Sequence, residues 1–168
     1  MMEPTLVKLE LGAGPSPAGA GELVLVTDAT CQIVFVTLGG QCALASFIRC
    51  TQCLYGYPND EAQVGHPLYA DWVDGFYEVI GSTWEERLAE QNRVAFPETR
   101  SDYRQRHFLA VFRESMAEIL ADDVQVHVFE EPFEKVALRA LGIAIKTEGP
   151  TLIPRSWVIG GPSTSPRA

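Results

Sequence analysis

Residues 55–69, YGYPNDEAQVGHPLY, gather the side chains with the most chemical potential in the chain. Asp60 and Glu61 are adjacent carboxylates, which push one another's pKa apart, and His66 supplies an imidazole able to move protons near neutral pH. Tyr57 and Tyr69, with Tyr55, offer amphipathic walls for a pocket, and Asn59 and Asp60 offer hydrogen bonds to a ligand inside it. The same residues also suit two turns, Pro58-Asn59-Asp60 and Gly65-His66-Pro67, in which Asn and Asp bond their own backbone. Turn and packing outweigh a reaction site unless these side chains converge on one cavity.

A second polar cluster, Glu114, Ser115 and Glu118, is wedged between very apolar segments. A carboxylate on a buried sheet face needs a partner. Arg113, or an arginine from the preceding loop, is the expected one, which favours a structural ion pair over a catalytic carboxylate. If the two clusters meet, Glu61, His66 and Glu118 form the candidate acid and base set. Tyr57, Asn59, Asp60, Tyr69 and Ser115 are then the candidate ligand contacts.

The remaining reactive residues read more plainly. Cys50-x-x-Cys53 is half of a zinc signature, but Cys31 and Cys42 lie on different expected strands. An extended chain would point Cys50 and Cys53 to opposite faces, so the four cysteines are expected as small buried residues holding no metal. His107 and His127 alternate with apolar residues and read as satisfied sheet histidines. Arg93, Arg100, Arg104, Arg106 and Arg113, interleaved with Glu98 and Asp102, read as solvated surface. There is no glycine-rich phosphate loop, no Gly-x-Ser-x-Gly elbow and no His-Glu-x-x-His. No cofactor is expected.

The elements that must position these groups are mostly strands. TLVKLEL (5–11), GELVLVTD (21–28), CQIVFVTL (31–38) and QCALASFIRC (41–50) read as four consecutive antiparallel strands, with GAGPSPAGAG (12–21) a mobile tip between the first two. Residues 54–74 are irregular, and FYEVIGS (76–82) is a strand. A helix over 83–95 starts at Ser82 or Thr83 with Glu85 and Glu86 in its first turn, and Pro97 ends it. HFLAVF (107–112) and VQVHVF (124–129) are strands. Between them RESMAEILADD fits either a capping box or a strand turning at Arg113-Glu114-Ser115, and the strand is preferred. A second amphipathic helix over 132–141 tolerates Pro132 in its first turn and closes at Gly142.

The 168 residues, 46% of them apolar, suffice for one domain, 1–148, followed by a Pro/Gly/Ser-rich tail, 149–168, partly disordered apart from a docked Trp157-Val158-Ile159. The expected fold is α+β: a curved or partly barrelled antiparallel sheet of about six to eight strands with two helices. A formal charge of −9 disfavours nucleic acid and anionic membranes as partners. The amino terminus lacks a signal-peptide pattern, so a soluble cytoplasmic protein with reduced thiols is expected.

The stretch GYPNDEAQVGHPLY, followed by FYEVIGSTW and FRESMAEILADDVQV, resembles a family of small uncharacterised bacterial proteins that share a Gly-Tyr-Pro-Asn-Asp-Glu-Ala…Gly-His-Pro-Leu-Tyr stretch. The likeness covers roughly residues 40–130. Arg113 and Glu114 stand where that family has His and Asp in a later turn, so no histidine chemistry carries over there. The resemblance implies a common feature at 56–69 and no reaction.

Three functional readings follow. A non-catalytic binding or interaction module, self-associating and using 55–69 as pocket or interface for a small molecule or protein partner, leads because no catalytic set is complete. The alternative is a small enzyme using Glu61, His66 and Glu118 on a small molecule. The weaker alternative is an acidic inhibitor or immunity-type protein for a basic partner.

Overall fold

The computed structural model describes residues 3–18, 21–56, 60–69, 73–98 and 104–148. Among them the chain runs β1 (Thr5–Lys8), β2 (Leu23–Val26), β3 (Thr30–Val36), β4 (Cys42–Ile48), β5 (Gln52–Gly56), α1 (Asp60–Gln63), β6 (Gly75–Ile80), α2 (Trp84–Ala95), β7 (Arg106–Phe112), β8 (Ser115–Ala121), β9 (Asp123–Phe129) and α3 (Phe133–Glu148). The α+β class, the antiparallel pairing and the two longer helices are as expected. The single partly barrelled sheet is not. Nine strands form two separate antiparallel sheets, β1-β6-β7-β8-β5 and β2-β3-β4-β9, neither closed into a barrel.

Side-chain alternation dictates the layering. In β7, Phe108, Ala110 and Phe112 point one way, and in β8 Ala117, Ile119 and Ala121 do the same. They meet Ile33, Phe35, Ala43, Ala45 and Phe47 of the other sheet in one buried core. Five phenylalanines knit it, with Phe47 reaching Phe108 at 5.7 Å edge to face and Phe35 reaching Phe76 at 5.4 Å between ring centroids. The outward residues of β3 and β4, Val34 and Leu44, are covered by Val136 and Ala140 of α3.

Several boundaries differ from expectation for identifiable reasons. β1 does not join β2 but pairs with β6, in the opposite sheet. The loop after it is anchored, because Pro15 bridges Thr37 and the Ser16 N–H donates to the Val36 carbonyl at 2.8 Å. β5, whose last three residues fall in the stretch expected to be irregular, pairs with β8 from Gln52 to Gly56. α3 runs through Gly142 to Glu148, since Ala144 continues the buried stripe of Val136 and Ala140 at four-residue spacing. The Arg113-Glu114 hairpin between β7 and β8 is as expected. The tail, 149–168, and its Trp157-Val158-Ile159 lie outside the described residues. No helix among the described residues is long and apolar enough to cross a membrane.

The chain changes sheets twice at one end of the stack. Arg49, with φ of 51°, turns β4 into β5, and Asp122 returns β8 into β9 with its N–H on the Ile48 carbonyl at 2.9 Å. The Arg49 guanidinium pairs with the Asp122 carboxylate across the two crossings.

Candidate active site

The outer face of the five-stranded sheet carries the polar side chains of interest. Its apolar half is Leu6, Tyr77, Val79, Leu109, Val111 and Met116, capped by Leu68 from the connection after α1. That connection is pinned to the sheet by the buried Gln63, whose Nε2 donates to the Phe112 carbonyl at 3.0 Å. The Gly65-His66-Pro67 turn is present, with the His66 N–H on the Gln63 carbonyl and the Tyr69 N–H on the His66 carbonyl, each at 2.9 Å.

These constraints bring the two polar clusters together. His66 Nε2 lies 3.4 Å from Glu118 Oε1, and the Leu68 N–H donates to His66 Nδ1 at 3.2 Å. A neutral His66 whose Nδ1 accepts must carry its proton on Nε2, facing the carboxylate. On the other side of Glu118 stands His107. β7 and β8 pair Leu109 with Glu118 and His107 with Leu120, so His107 and Glu118 are diagonal neighbours on one face. His107 Nε2 lies 3.1 Å from Glu118 Oε2, close to the carboxylate but without the alignment of a hydrogen bond. His107 Nδ1 is 2.8 Å from Ser82 Oγ.

The tautomer of His107 decides the direction of this chain. An ionised carboxylate only accepts, so the neutral tautomer that suits Glu118 carries its N–H on Nε2. Its Nδ1 is then left to accept the Ser82 hydroxyl proton. Ser82 is aimed by two local features. Gly81, at φ 76°, turns the chain out of β6, and Ser82 Oγ accepts the Trp84 N–H at 3.2 Å where α2 begins. The Trp84 indole meets the His107 ring edge-on at 4.9 Å, which leaves that imidazole 6% exposed. Both imidazoles hold the Glu118 carboxyl below the ordinary carboxylate range, His107 the more strongly, against the opposing effect of burial.

Beside this relay a groove of about 1230 Å³ runs between α2 and the sheet, lined by Ser82, Thr83, Leu88, Gln52, Leu120 and Arg104 among others. None of the residues of α2 is buried. Ser82 lines this groove, and His107 stands behind it at hydrogen-bond distance from Ser82 Oγ.

The expected residues divide accordingly. His66 and Glu118 do meet, but the partners of Glu118 are the two histidines and not Arg113, whose Nε instead faces Glu114 at 3.6 Å and whose Nη1 donates to the Pro17 carbonyl at 3.2 Å. Ser115 belongs elsewhere. Three residues before Glu118, it has the opposite parity, is buried, and donates to Glu22 Oε1, which also accepts the Tyr55 hydroxyl at 2.6 Å. Glu22 and Tyr55 of that trio line a small cavity of about 70 Å³ with Pro15 and Phe35. Tyr69 is half-buried in the turn after His66. Tyr57 and Asn59 lie outside the described residues, as do the side chains of Asp60 and Glu61, which open α1.

Sequence reasoning passed over Ser82 and His107. The available signal was parity: His107 shares a face with Leu109 and Val111, and with Glu118 once the two-residue turn fixes the register. The cysteine geometry also differs from expectation. Because Arg49 turns the chain, Cys50 and Cys53 do not point apart; Cys31, Cys50 and Cys53 converge at the sheet-crossing end. No family model, no curated protein and no solved structure matches this chain.

Proposed function

We propose that the protein is a small enzyme whose nucleophile is the Ser82 hydroxyl, acting on an acyl-type small molecule held in the groove beside α2. The supporting observation is the sequence of close approaches from Ser82 Oγ to His107 Nδ1, at 2.8 Å, and from His107 Nε2 to Glu118 Oε2, at 3.1 Å. A nucleophile within hydrogen-bond reach of a base, and that base faced by a third group, is the arrangement that activates a weak hydroxyl. His107 takes the hydroxyl proton at Nδ1 as Oγ attacks a carbonyl carbon. Glu118 stabilises the imidazolium that forms, and His66 holds Glu118 from its other oxygen. The imidazolium then returns the proton to the leaving group. The α2 amino terminus, directly after Ser82, offers first-turn N–H groups and the positive end of a helix dipole to an oxyanion. This replaces the set Glu61, His66 and Glu118 with Ser82, His107 and Glu118, and His66 becomes a positioning residue.

The test is covalent labelling of the intact protein with a fluorophosphonate, read by peptide mass spectrometry. A phosphonyl adduct on Ser82 that falls at least about 100-fold in rate in His107→Asn is expected, the size of a lost general base. Labelling elsewhere, or none, overturns the reading.

A second reading, a binding or interaction module that self-associates, is supported by α3. Leu138, Leu141 and Ile145 lie along its solvent side, 68%, 43% and 61% exposed, at the spacing of one helical stripe. A second copy of the chain packing stripe to stripe would bury them. Light scattering across a concentration series decides this: a dimer that Leu138→Glu dissociates supports it, and a native monomer at all concentrations refutes it.

A further inference from the structure

Cys31 is the second residue of β3 in the four-stranded sheet, and Cys53 lies in β5 of the five-stranded one. Their sulfurs are 3.8 Å apart across the stack, with the Cys31 thiol donating to Cys53. Cys50 closes the group, its own thiol turned to the Gln52 carbonyl at 3.3 Å. Cys31 and Cys50 are fully buried, whereas Cys53 is partly open to solvent. Cys42 lies apart, in the layer under α3. Among the described residues no group of three or more Cys, His, Asp or Glu is placed to hold a metal ion.

We propose that Cys53 is a site of oxidation by hydrogen peroxide which resolves onto Cys31, closing a disulfide between the two sheets. The Cys53 thiolate sulfur attacks one peroxide oxygen. The O–O bond breaks, and hydroxide leaves and is protonated to water, so Cys53 becomes a sulfenic acid. The Cys31 sulfur then attacks the Cys53 sulfur. The S–O bond breaks, and the departing hydroxide takes the Cys31 proton as a second water. Two thiols lose two electrons and two protons, and one peroxide becomes two waters.

The environment assigns the roles. The Cys31 thiol's hydrogen bond lowers the pKa of Cys53, while Cys31 itself is pushed up by its interactions with Cys50 and Cys53 and by burial. The accessible sulfur is therefore the readier thiolate, and the buried one is the resolving thiol. Cys50 is also lowered by Cys31, but its burial keeps peroxide from it.

The experiment treats the folded, reduced protein with a modest excess of hydrogen peroxide, blocks free thiols, and maps linkages by non-reducing peptide mass spectrometry. The expected result is a Cys31–Cys53 link that a reductant reverses, with Cys42 still free. Cys53→Ala is expected to slow thiol loss by about tenfold or more, and Cys31→Ala to leave a sulfenic acid on Cys53 that dimedone traps. A Cys50–Cys53 or Cys31–Cys50 link, sulfinic acid at Cys53 without a link, or no oxidation in the native chain would each overturn the proposal. Because the primary readout is the native chain, it stands even if Cys31→Ala fails to fold.

Discussion

Glu118→Gln removes one charge from the centre of the relay while keeping side-chain volume and an acceptor oxygen. Glu118 is three-quarters buried, and it faces His66 at 3.4 Å and His107 at 3.1 Å. Bonds to charged groups contribute about 1.5–3 kcal/mol each when well made. The first contact here is long and the second misaligned, and desolvation of the carboxylate opposes both. A net loss of about 1.5 kcal/mol is therefore expected, a fall of roughly 1 M in the urea midpoint for a domain of this size. The sign with pH follows from the carboxyl's lowered pKa in the folded state. Its contribution is complete above the unfolded glutamate value, about 4.3, and disappears as pH falls through the lower folded value. Urea titrations of the native chain and Glu118→Gln at pH 5.5 and at successive steps toward pH 3 measure this. The gap is expected to be largest at pH 5.5 and to close in acid. A gap constant with pH, or a variant as stable as the native chain at pH 5.5, would refute the reasoning.

Other perturbations have equally definite outcomes. Phe47→Ala, at a fully buried ring against Phe76 and Phe108, should cost about 3–5 kcal/mol in chemical denaturation. Arg106→Lys should cost about 0.5–1 kcal/mol. The guanidinium holds both oxygens of Glu78, at 2.9 and 2.6 Å, and covers the Phe108 ring at 4.7 Å, and an ammonium cannot reproduce that fork. That bidentate bond also lowers the Glu78 carboxyl, so its contribution, like that of Glu118, is present above the unfolded carboxylate value and lost in acid. Gly40→Ala should destabilise the β3–β4 hairpin by about 1 kcal/mol, because Gly40 sits at φ 78°, a conformation alanine rarely adopts.

Much of the strand inventory was legible because β-branched and aromatic runs mark strands wherever they pack. The hairpin at Arg113-Glu114 was legible from its turn and the alternation after it. Sheet membership was not. β1 looks like a neighbour of β2 in sequence, yet its partner is β6, a long-range pairing that local pattern does not encode. β5 escaped notice because QCLYG has no alternation of its own and takes its register from β8. The meeting of His66 with Glu118 was posed by the sequence as a question of geometry, and the Gln63 anchor answers it. The convergence of three thiols depended on the left-handed turn at Arg49, a residue type that rarely signals one. Ser82 was legible as the start of a helix, and only the fold sets its oxygen against His107.

The tautomer of His107 tests the relay most directly, without requiring a substrate. In the neutral imidazole form, long-range proton–nitrogen correlation spectra of labelled protein distinguish the two ring nitrogens. The relay requires the proton on Nε2, toward Glu118, with Nδ1 accepting from Ser82 Oγ and changing its shift in Ser82→Ala. A proton on Nδ1, donated to the Ser82 oxygen, would mean that the hydroxyl has no base and would contradict the assignment of Ser82 as nucleophile.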